Sequence, residues 1–379
     1  MKSAISSRVY ALGISLIELM IALVIGLVLL LGVIQVFAAS KSAYRLSEGL
    51  ARTQENARFA IDYLQRDLRM AGHFGCATDQ AHLQSADALQ SNFASSADQA
   101  LNFRVSIQGY EASGTAPSGV VTLGAEASGW TPGLPASIAA LVPLAGSDIV
   151  VLHFLSAQGV PVTTITTNPS ATRFTVPAAR WSALTQEGVS NPRLFGVADC
   201  RFADVFQASV VASSAGEVTV AGLIERYTGQ PSGQTTLYRA ESLVYYVGRG
   251  ASGEPALFRA RYNGTAYTSE ELVEGIENLQ LIYGQDRVTN LNVSPPSGYI
   301  DVQNTAAPLA NDAAEWRRVG SVQVGLLVRS PDSASAAVPE AANRPRVLGV
   351  QFVPPATFDG KVRGVYETTV ALRNRLYGN

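Results

Sequence analysis

Charged side chains are scarce in this chain of 379 residues, and the two signs nearly cancel. They make up 15 % of the sequence, whereas an average soluble domain has about 25 %. The 28 basic and 30 acidic residues leave a formal net charge of −2. The chain therefore lacks the basic surplus with which proteins cover a phosphate backbone, and we do not expect nucleic acid to be its main partner.

Histidine and cysteine are rarer still, with three and two residues. So few imidazoles and thiols exclude most metal cages built from these side chains, and they leave little material for a nucleophile paired with a base. His73 and His82 flank Cys76, but no second pair follows at ligand spacing, and His153 lies in an apolar run. The sequence therefore predicts no metal site, no cofactor and no enzymatic activity.

Two other patterns that can carry chemistry are better explained by local structure. Gly248 to Gly253 matches the GxGxxG fingerprint, whose glycines let the backbone approach a pyrophosphate at the start of a helix. The residues that follow, 256–262, alternate like a strand, so we predict a hairpin turn instead. Glu270, Glu271 and Glu274 are interpreted as an exposed acidic turn rather than as an acid–base pair.

The N-terminus is the most informative part of the chain. A short basic leader, residues 1–13, precedes a long apolar segment over residues 14–39. The leader contains Lys2 and Arg8 and no acidic residue, and the segment has a single charge, Glu18. About 20 apolar residues are enough to cross a bilayer, and the basic end of such a helix stays in the cytoplasm. We therefore predict a single-pass helix, with the rest of the chain exported.

Three other interpretations of this segment remain open. A removable signal peptide would be cleaved after Ala38, because Val36-Phe37-Ala38 places small residues at the required offsets. Cleavage there would leave a secreted or periplasmic binding or carbohydrate-active domain that begins at Ala39. A permanent receptor anchor would keep Met1, and a buried helix of a soluble core would need no export. The signal peptide fits less well, because its apolar part is usually about 7 to 15 residues long and because the Glu18 carboxylate costs about 2 kcal/mol in lipid unless it is paired.

The residues around Glu18 form a motif that explains a charge in this apolar segment. The stretch Gly13-Ile14-Ser15-Leu16-Ile17-Glu18-Leu19 resembles the cleavage and methylation motif of type IV prepilins and type II secretion pseudopilins. The resemblance implies that a prepilin peptidase cuts after Gly13, that Ile14 is then N-methylated, and that Glu18 helps the subunit to dock in a growing filament. A carboxylate in lipid needs a cationic partner, which the free amine of a neighbouring subunit supplies. Ala22 and Gly26 have the small-xxx-small spacing that lets membrane helices pack closely.

Beyond the membrane segment the helical pattern continues. Two pairs of opposite charge stand four residues apart, Glu48 with Arg52 and Asp62 with Arg66, and they favour a solvated face. We predict that the helix runs on unbroken and ends at Gly72. Apolar residues on its other face recur at steps of three and four, which indicates an amphipathic helix: Tyr44, Leu50, Ala57, Ile61, Leu64 and Leu68.

From about Ala77 the composition shifts to small and hydroxylated residues. The stretches 83–100 and 111–135 are predicted as long loops. Together with the helix, the pattern predicts an α+β fold, in which a long N-terminal helix, membrane-spanning and then amphipathic, packs on an antiparallel β-sheet with long irregular β-rich insertions. The predicted strands are 148–154, 173–176, 217–220, 236–247, 256–262, 279–283, 319–328 and 362–373.

Cys76 and Cys200 would both lie on the exported side of the membrane. An oxidising compartment favours one disulfide between them. Two buried free thiols are the alternative. In the chain-entropy model, closing so long a loop stabilises a fold by about 4 to 5 kcal/mol.

A second resemblance lies in the C-terminal part. The segments 271–277, 322–329 and 369–375 are similar to the PilW family of minor pilins. Minor pseudopilins of type II secretion, of the GspJ kind, share this layout in a usually shorter chain and are the alternative. The PilW resemblance implies a type IV pilin-like fold made of a prepilin leader at 1–13, a transmembrane half-helix at 14–39, an amphipathic half-helix at 40–72 and a β-rich globular domain at 73–379.

The same resemblance implies a structural protein, not an enzyme. A minor pilin of this kind is built into a type IV pilus at or near its tip, where it primes assembly and supports twitching motility and adhesion. The expected partners are the prepilin peptidase, other minor pilins, the major pilin and a tip adhesin. Before assembly we expect a single-pass protein of the bacterial inner membrane with a periplasmic C-terminal domain, and after assembly a subunit of the pilus.

Overall fold

A computed structural model describes residues 15–78, 88–93, 99–291, 293–310, 312–334, 340 and 343–375. One helix, α1, dominates its N-terminal part and runs without a break from Leu16 to Met70. The chain leaves the helix through Ala71 and Gly72, and Gly72 has a φ of 79°, which glycine adopts without strain. The prediction of one unbroken helix that ends at Gly72 is confirmed. The leader, residues 1–13, lies outside the described residues.

Short helices and many strands follow α1. The short helices are α2 Ala136–Ala139, α3 Ala306–Leu309 and α4 Ala313–Arg317, with 3₁₀ turns at Gln99–Leu101, Ala178–Leu184 and Arg373–Arg375. The strands, in chain order, are β1 His73–Phe74, β2 Ala77–Thr78, β3 Leu89–Asn92, β4 Ile107–Ala112, β5 Val120–Thr122, β6 Trp130–Thr131, β7 Ile149–Pro161, β8 Thr164–Asn168, β9 Ala171–Thr175, β10 Leu194–Ala198, β11 Ala203–Gln207, β12 Val210–Ala212, β13 Glu217–Ala221, β14 Thr236–Arg249, β15 Pro255–Tyr262, β16 Tyr267–Glu274, β17 Ile276–Asp286, β18 Ile300–Asn304, β19 Val319–Ser333, β20 Arg346–Val347, β21 Val350–Val353 and β22 Lys361–Ala371.

These strands form two principal sheets and three smaller ones. In the large sheet, seven strands follow the order β3-β11-β10-β14-β7-β4-β6, and β15 and β16 continue from the second half of β14. The helix sheet is antiparallel, with the order β18-β17-β19-β22. The outer sheet has the order β12-β13-β9-β8, and the sheets β20-β21-β5 and β1-β2 complete the fold.

The chain passes from the large sheet into the helix sheet through one residue. β16 ends at Glu274 and β17 begins at Ile276, so Gly275 alone joins them. Its N–H donates to the carbonyl of Pro255 in the large sheet, and its carbonyl accepts the N–H of Arg329 in the helix sheet, each at 2.8 Å. A φ of 83°, with the Arg329 carbonyl oxygen 2.9 Å from the place of a Cβ, makes any side chain here strained.

The second half of α1 packs on the helix sheet. Apolar members of its buried face share a core with Leu281, Val324 and Val370 of that sheet. The burial starts at Gly49, where a Cβ would stand 3.1 Å from the Cβ of Ala334, so a small residue lets helix and domain approach closely. The buried helix residues are Gly49, Thr53, Ala57, Ala60, Leu64, Asp67 and Leu68.

The apolar face predicted for the amphipathic half of α1 is wrong at the N-terminal end of that half. Tyr44 and Leu50 are 68 % and 42 % exposed. The face that is buried there consists of Gly49 and Thr53, whose small or polar side chains give no hydrophobic signal. Close packing against the domain, rather than hydrophobicity, selects the residues at this level.

The solvated face predicted along α1 is confirmed, because Glu48, Arg52, Asp62 and Arg66 are all exposed. Arg66 pairs with Glu187 of the domain rather than with Asp62. Glu48 and Arg52 form no ion pair with any residue that the structure describes. An exposed pair four residues apart is worth only about 0.3 to 0.5 kcal/mol, so a carboxylate presented by the domain easily replaces it.

Both stretches predicted as long loops contain strands. Residues 83–100 include β3, which pairs in parallel with β11, and residues 111–135 include β5, β6 and the end of β4. β3, β5 and β6 are only two to four residues long and are held by partners far away in sequence, so local alternation does not reveal them. The three acidic residues Glu270, Glu271 and Glu274 are exposed as predicted, but they lie in β16, which forms a hairpin with β15, and not in a turn.

The remaining strand predictions are confirmed. All eight predicted strands are present, several of them longer than predicted. Gly248 to Gly253 turns the chain between β14 and β15, with Arg249 opposite Pro255, so the hairpin prediction is confirmed as well. A strand rather than a helix follows these glycines, and the arrangement offers no helix N-terminus to a pyrophosphate.

Candidate assembly surface

The first half of α1 exposes an apolar surface. Leu16, Ile25 and Phe37 are 76 %, 55 % and 69 % exposed. The most apolar window of the helix has none of its surface covered within the described protein, and its length and composition suffice to cross a membrane. Because so large an apolar surface is unfavourable in water, lipid or other apolar helices must cover it.

Ser15 and Glu18 cap the N-terminus of this helix. The Oγ of Ser15 accepts the N–H of Glu18 at 3.2 Å, and the Glu18 carboxylate accepts the N–H of Ser15 at 3.0 Å. This capping box satisfies two N–H groups near the helix start, where the helix dipole also favours a negative charge. Glu18 is exposed, so its carboxylate stays accessible to a cation from outside the chain. Gly13 and Ile14 lie outside the described residues.

Ala22 and Gly26 lie in a shallow groove along the exposed helix. A Cβ built on Gly26 would have no atom within 4 Å, so nothing in the described chain occupies the space above it. A groove floored by small residues accepts a second helix at short range. Its other lining residues are all leucines: Leu19, Leu23, Leu27 and Leu30.

A buried ion pair fastens the end of α1 to the large sheet. Asp67, in the last turn of the helix, is buried and accepts hydrogen bonds from Arg259 at 3.2 Å and from the Tyr245 hydroxyl at 2.5 Å. Arg259 also donates to Glu270 at 2.9 Å. Burial and the Asp67 charge raise the pKa of Tyr245, which therefore remains a donor. Asp67 was not among the predicted site residues; the sequence signal for it is a carboxylate on the apolar face near a helix C-terminus, where the dipole disfavours it.

A second charged cluster lies beside the first. Arg239 and Arg261 share the buried carboxylate of Glu241, at 2.5 Å and 2.8 Å. Both also approach Glu187, at 3.7 Å and 3.3 Å, and Arg66 of α1 contacts the same carboxylate. Glu187 thus connects the helix to β14 and β15, and the cluster adds polar specificity to a helix–domain contact that is otherwise apolar.

Two buried carboxyl groups lie between the principal sheets. Asp148, just before β7, accepts the N–H groups of Ala112 and Leu281, each at 2.9 Å, and so joins β4 to β17. Glu111 accepts the N–H of Ala306 at the start of α3. Burial raises the pKa of Glu111 to about 7, and burial together with the Glu111 charge raises that of Asp148. No sequence pattern indicated this pair.

The histidines described by the structure have structural contacts. His153 is fully buried with Nδ1 2.8 Å from the carbonyl oxygen of Val105, and Nδ1 of His73 is 2.8 Å from that of Leu155. His82 lies outside the described residues. Within the described ranges, no three or more His, Cys, Asp or Glu residues group together in a way that could hold a metal ion.

Cys76 and Cys200 form a disulfide with an S–S distance of 2.03 Å. Cys76 follows β1, shortly after α1, and Cys200 lies in the turn between β10 and β11. The bond connects the end of the helix to the part of the large sheet that packs on the outer sheet. There, Phe195 and Phe206 of the large sheet share a separate core with Phe174 of the outer sheet.

The comparisons with known proteins agree with the C-terminal resemblance. The family model described as type IV pilus-assembly protein W, PilW, matches residues 244–374, which contain the end of β14, then β15 and β16, and the whole helix sheet. This match confirms the predicted resemblance to PilW and supports a function related to the type IV pilus. The architecture also confirms the predicted α+β fold, with a long N-terminal apolar helix and antiparallel sheets.

The other comparisons add little. No curated protein matches the chain. Among solved structures, the type IV-like pilin TTHA1219 from Thermus thermophilus is similar, with 16 % sequence identity and a TM-score of 0.20, over 41 % of this chain and 75 % of that chain.

Proposed function

We propose that this protein is a PilW-like minor pilin, built into a type IV pilus at or near its tip. It starts as a single-pass precursor in the inner membrane with its globular domain in the periplasm. Prepilin peptidase cuts it after Gly13, and Ile14 is N-methylated. In the filament it primes assembly together with other minor pilins, contacts the major pilin and a tip adhesin, and supports twitching motility and adhesion.

One observation carries this proposal. A single unbroken helix joins an exposed apolar segment, headed by Glu18, to the domain whose sequence matches PilW. A cleavable signal peptide needs no rigid continuation into the folded domain, whereas a filament subunit needs one, because the helix must hold the domain at a fixed position on the filament surface. The α1 face from Gly49 upward supplies that rigid attachment.

The proposed assembly step exchanges lipid for helix contacts. In the bilayer the capping box with Ser15 partly satisfies the Glu18 carboxylate. In the filament the charged amine of a neighbouring Ile14 approaches the same carboxylate, which removes an unpaired charge from an apolar environment. The groove over Ala22 and Gly26 lets the neighbouring helix approach closely.

The test is the N-terminal residue of the protein extracted from membranes, determined by mass spectrometry in cells with and without prepilin peptidase. We expect a methylated Ile14 that depends on the peptidase. A chain that begins at Ala39 would instead indicate a secreted domain with a signal peptide, and an intact Met1 in both strains would indicate a permanent anchor. Either of these two results would overturn the proposal.

The same cells separate a pilus from a secretion system. A minor pilin co-purifies with sheared type IV pili, and its deletion reduces surface piliation and twitching. A type II secretion pseudopilin of the GspJ kind is also processed after Gly13 but leaves piliation unchanged and reduces protein secretion when deleted. The second pattern would retain the processing part of the proposal and reject its pilus part.

A further inference from the structure

A groove lined by three exposed cations lies where α1 emerges from its apolar segment. The groove, of about 890 Å³, lies between α1 and the end of β19. Lys41, Arg45 and Arg52 line its helix wall and are exposed. None of the three forms an ion pair with a residue that the structure describes, whereas Arg259 and Arg363 in the domain are paired with carboxylates.

The depth of these cations is set by the helix. Residues 19–40 carry no charge, and at about 1.5 Å per residue they extend about 33 Å, close to the thickness of a hydrocarbon core of about 30 Å. Lys41 is the first charge beyond this length, and Arg45 lies about 6 Å further along the helix. If Glu18 lies at one edge of the core, both cations lie in the headgroup layer on the opposite side.

The cations also lie on a particular face of the helix. Lys41, Arg45 and Gly49 follow each other at steps of four residues, so they share one face of α1. At Gly49 this face begins to contact the domain, and Asn56, seven residues further along the helix, donates to the carbonyl of Glu274. The packing face therefore changes from small and apolar to cationic at the lower edge of the domain, where no part of the described domain covers it.

We propose that Lys41 and Arg45 bind the phosphate of an anionic phospholipid in the membrane leaflet that faces the domain. Tyr44, 68 % exposed between them, has the amphipathic ring that is favoured at this level of a bilayer. Higher in the groove Glu48 and Asp332 offer carboxylates, which suit the hydroxyl groups of a glycerol headgroup above its phosphate. The inference rests on the membrane orientation given under the proposed function.

Such a contact determines the position of the domain relative to the bilayer before the precursor enters a filament. A lipid held between the helix and the lower edge of the domain keeps the domain close to the bilayer surface. Extraction into a filament then has to release this lipid as well as the apolar helix. The lipid is thus an interaction partner of the unassembled state, distinct from the protein partners of the filament.

The test compares lipid binding by the full-length protein and two variants. The protein, in detergent micelles with equal amounts of phosphatidylglycerol and phosphatidylcholine, is examined by native mass spectrometry for the ratio of the two bound lipids. Each cation near an anionic lipid surface contributes about fivefold to binding, so we expect the double variant Lys41→Gln/Arg45→Gln to lose about 25-fold of the preference for phosphatidylglycerol. The matched control is Arg58→Gln, an exposed arginine on α1 about 20 Å further from the membrane segment than Arg45, which should keep the preference.

Several outcomes overturn the inference. The inference fails if the double variant keeps the preference, or if Arg58→Gln loses as much. Displacement of phosphatidylglycerol by millimolar glycerol phosphate would show a site for soluble phosphate rather than for lipid. Unchanged lipid binding with lost filament incorporation would assign the groove to a neighbouring subunit. Because both variants change exposed side chains, an unchanged circular dichroism melting curve verifies folding, and a methylated Ile14 in both verifies the proposed function independently.

Discussion

Asp67 and Arg259 are 192 residues apart in the sequence, yet their charged groups meet at 3.2 Å inside the protein. The pair connects the end of α1 to β15, and Tyr245 completes it with a second hydrogen bond to Asp67. Without Asp67 the buried guanidinium of Arg259 would keep only the largely exposed carboxylate of Glu270 as a counter-charge, so this contact matters more when broken than when formed.

We therefore expect Asp67→Asn to destabilise the folded domain by about 3 kcal/mol or more. The measurement is the urea midpoint of the full-length protein in detergent, followed by tryptophan fluorescence. Asp62→Asn, an exposed carboxylate on the same helix, is the control and should leave the midpoint unchanged. Equal midpoints for the two variants would show that Asp67 contributes nothing beyond the apolar packing.

Glu111 makes the stability depend on pH. Its pKa is about 7 in the folded protein against 4.5 for an ordinary glutamate, so the folded state holds the proton more tightly than the unfolded chain. The stability that Glu111 contributes is therefore fully present below pH 4.5 and is lost as the pH rises from 4.5 to about 7. The loss attributable to Glu111 is about 3 kcal/mol above pH 7.

Glu111→Gln should remove this part of the pH dependence. The amide is isosteric, stays neutral and still accepts the N–H of Ala306, so we expect the variant to be more stable than the natural protein at pH 8 and similar to it at pH 4. Denaturation midpoints at four pH values between 4 and 8 check this. Glu55→Gln, exposed on α1, should follow the natural curve, and a natural curve that is flat between pH 4.5 and 7 would contradict the prediction.

Glu18→Ala should leave membrane insertion intact and reduce incorporation into filaments. Loss of a paired charge in an apolar environment is worth about 2 kcal/mol, which corresponds to roughly a 30-fold change in an equilibrium. Quantitative immunoblots of sheared pili against membranes give the ratio. Gln35→Ala changes a polar residue of the same helix outside the capping box and should retain normal incorporation. Normal incorporation of the Glu18 variant would reject its role in assembly.

Gly26 and Gly32 offer a matched pair for the helix groove. A Cβ on either has no atom within 4 Å in the described protein, so Gly26→Leu and Gly32→Leu should both leave the precursor stable. Only Gly26 lies in the groove with Ala22, so only Gly26→Leu should reduce filament incorporation, by preventing close helix packing. The same immunoblot ratio measures it, and equal incorporation of both variants would place the helix contact elsewhere.

The bond between Cys76 and Cys200 closes a separation of 124 residues. In the chain-entropy model a loop of this size stabilises the fold by up to about 5 kcal/mol. We expect Cys76→Ser/Cys200→Ser to lower the thermal midpoint of the purified protein markedly, and a reducing agent to lower that of the natural protein by a similar amount. A thermal midpoint that neither change moves would show that the bond does not contribute to stability.

How far the sequence predicts this fold depends on where the determining contacts lie. The helix from Leu16 to Met70 and the strands around Val324 and Val370 follow from local periodicity, because each buries one face against a single neighbour. β3 does not follow from it, since its short polar segment is held only by pairing with β11. Local patterns find elements that would form in many contexts and miss those that depend on one partner.

Some residues of the candidate site can likewise be recognised from the sequence, and others cannot. Glu18 stands out because a charge interrupts an apolar run, and Cys76 and Cys200 because cysteine is rare. Asp67 and the Glu111–Asp148 pair do not stand out, because their significance comes from burial and from residues that approach them in space. Glu187 does not stand out because its three arginine partners lie far away in the sequence. The buried charged network that attaches the helix was therefore visible only in the structure.

Gly275 makes the connection between the large sheet and the helix sheet rigid. Because the chain passes from the large sheet into the helix sheet through one residue that is hydrogen-bonded on both sides, no slack separates the two sheets. α1 is held by the helix sheet through its core and by the large sheet through Asp67. A change in the tilt of the helix therefore rotates both sheets together with it, because neither sheet can move independently of α1.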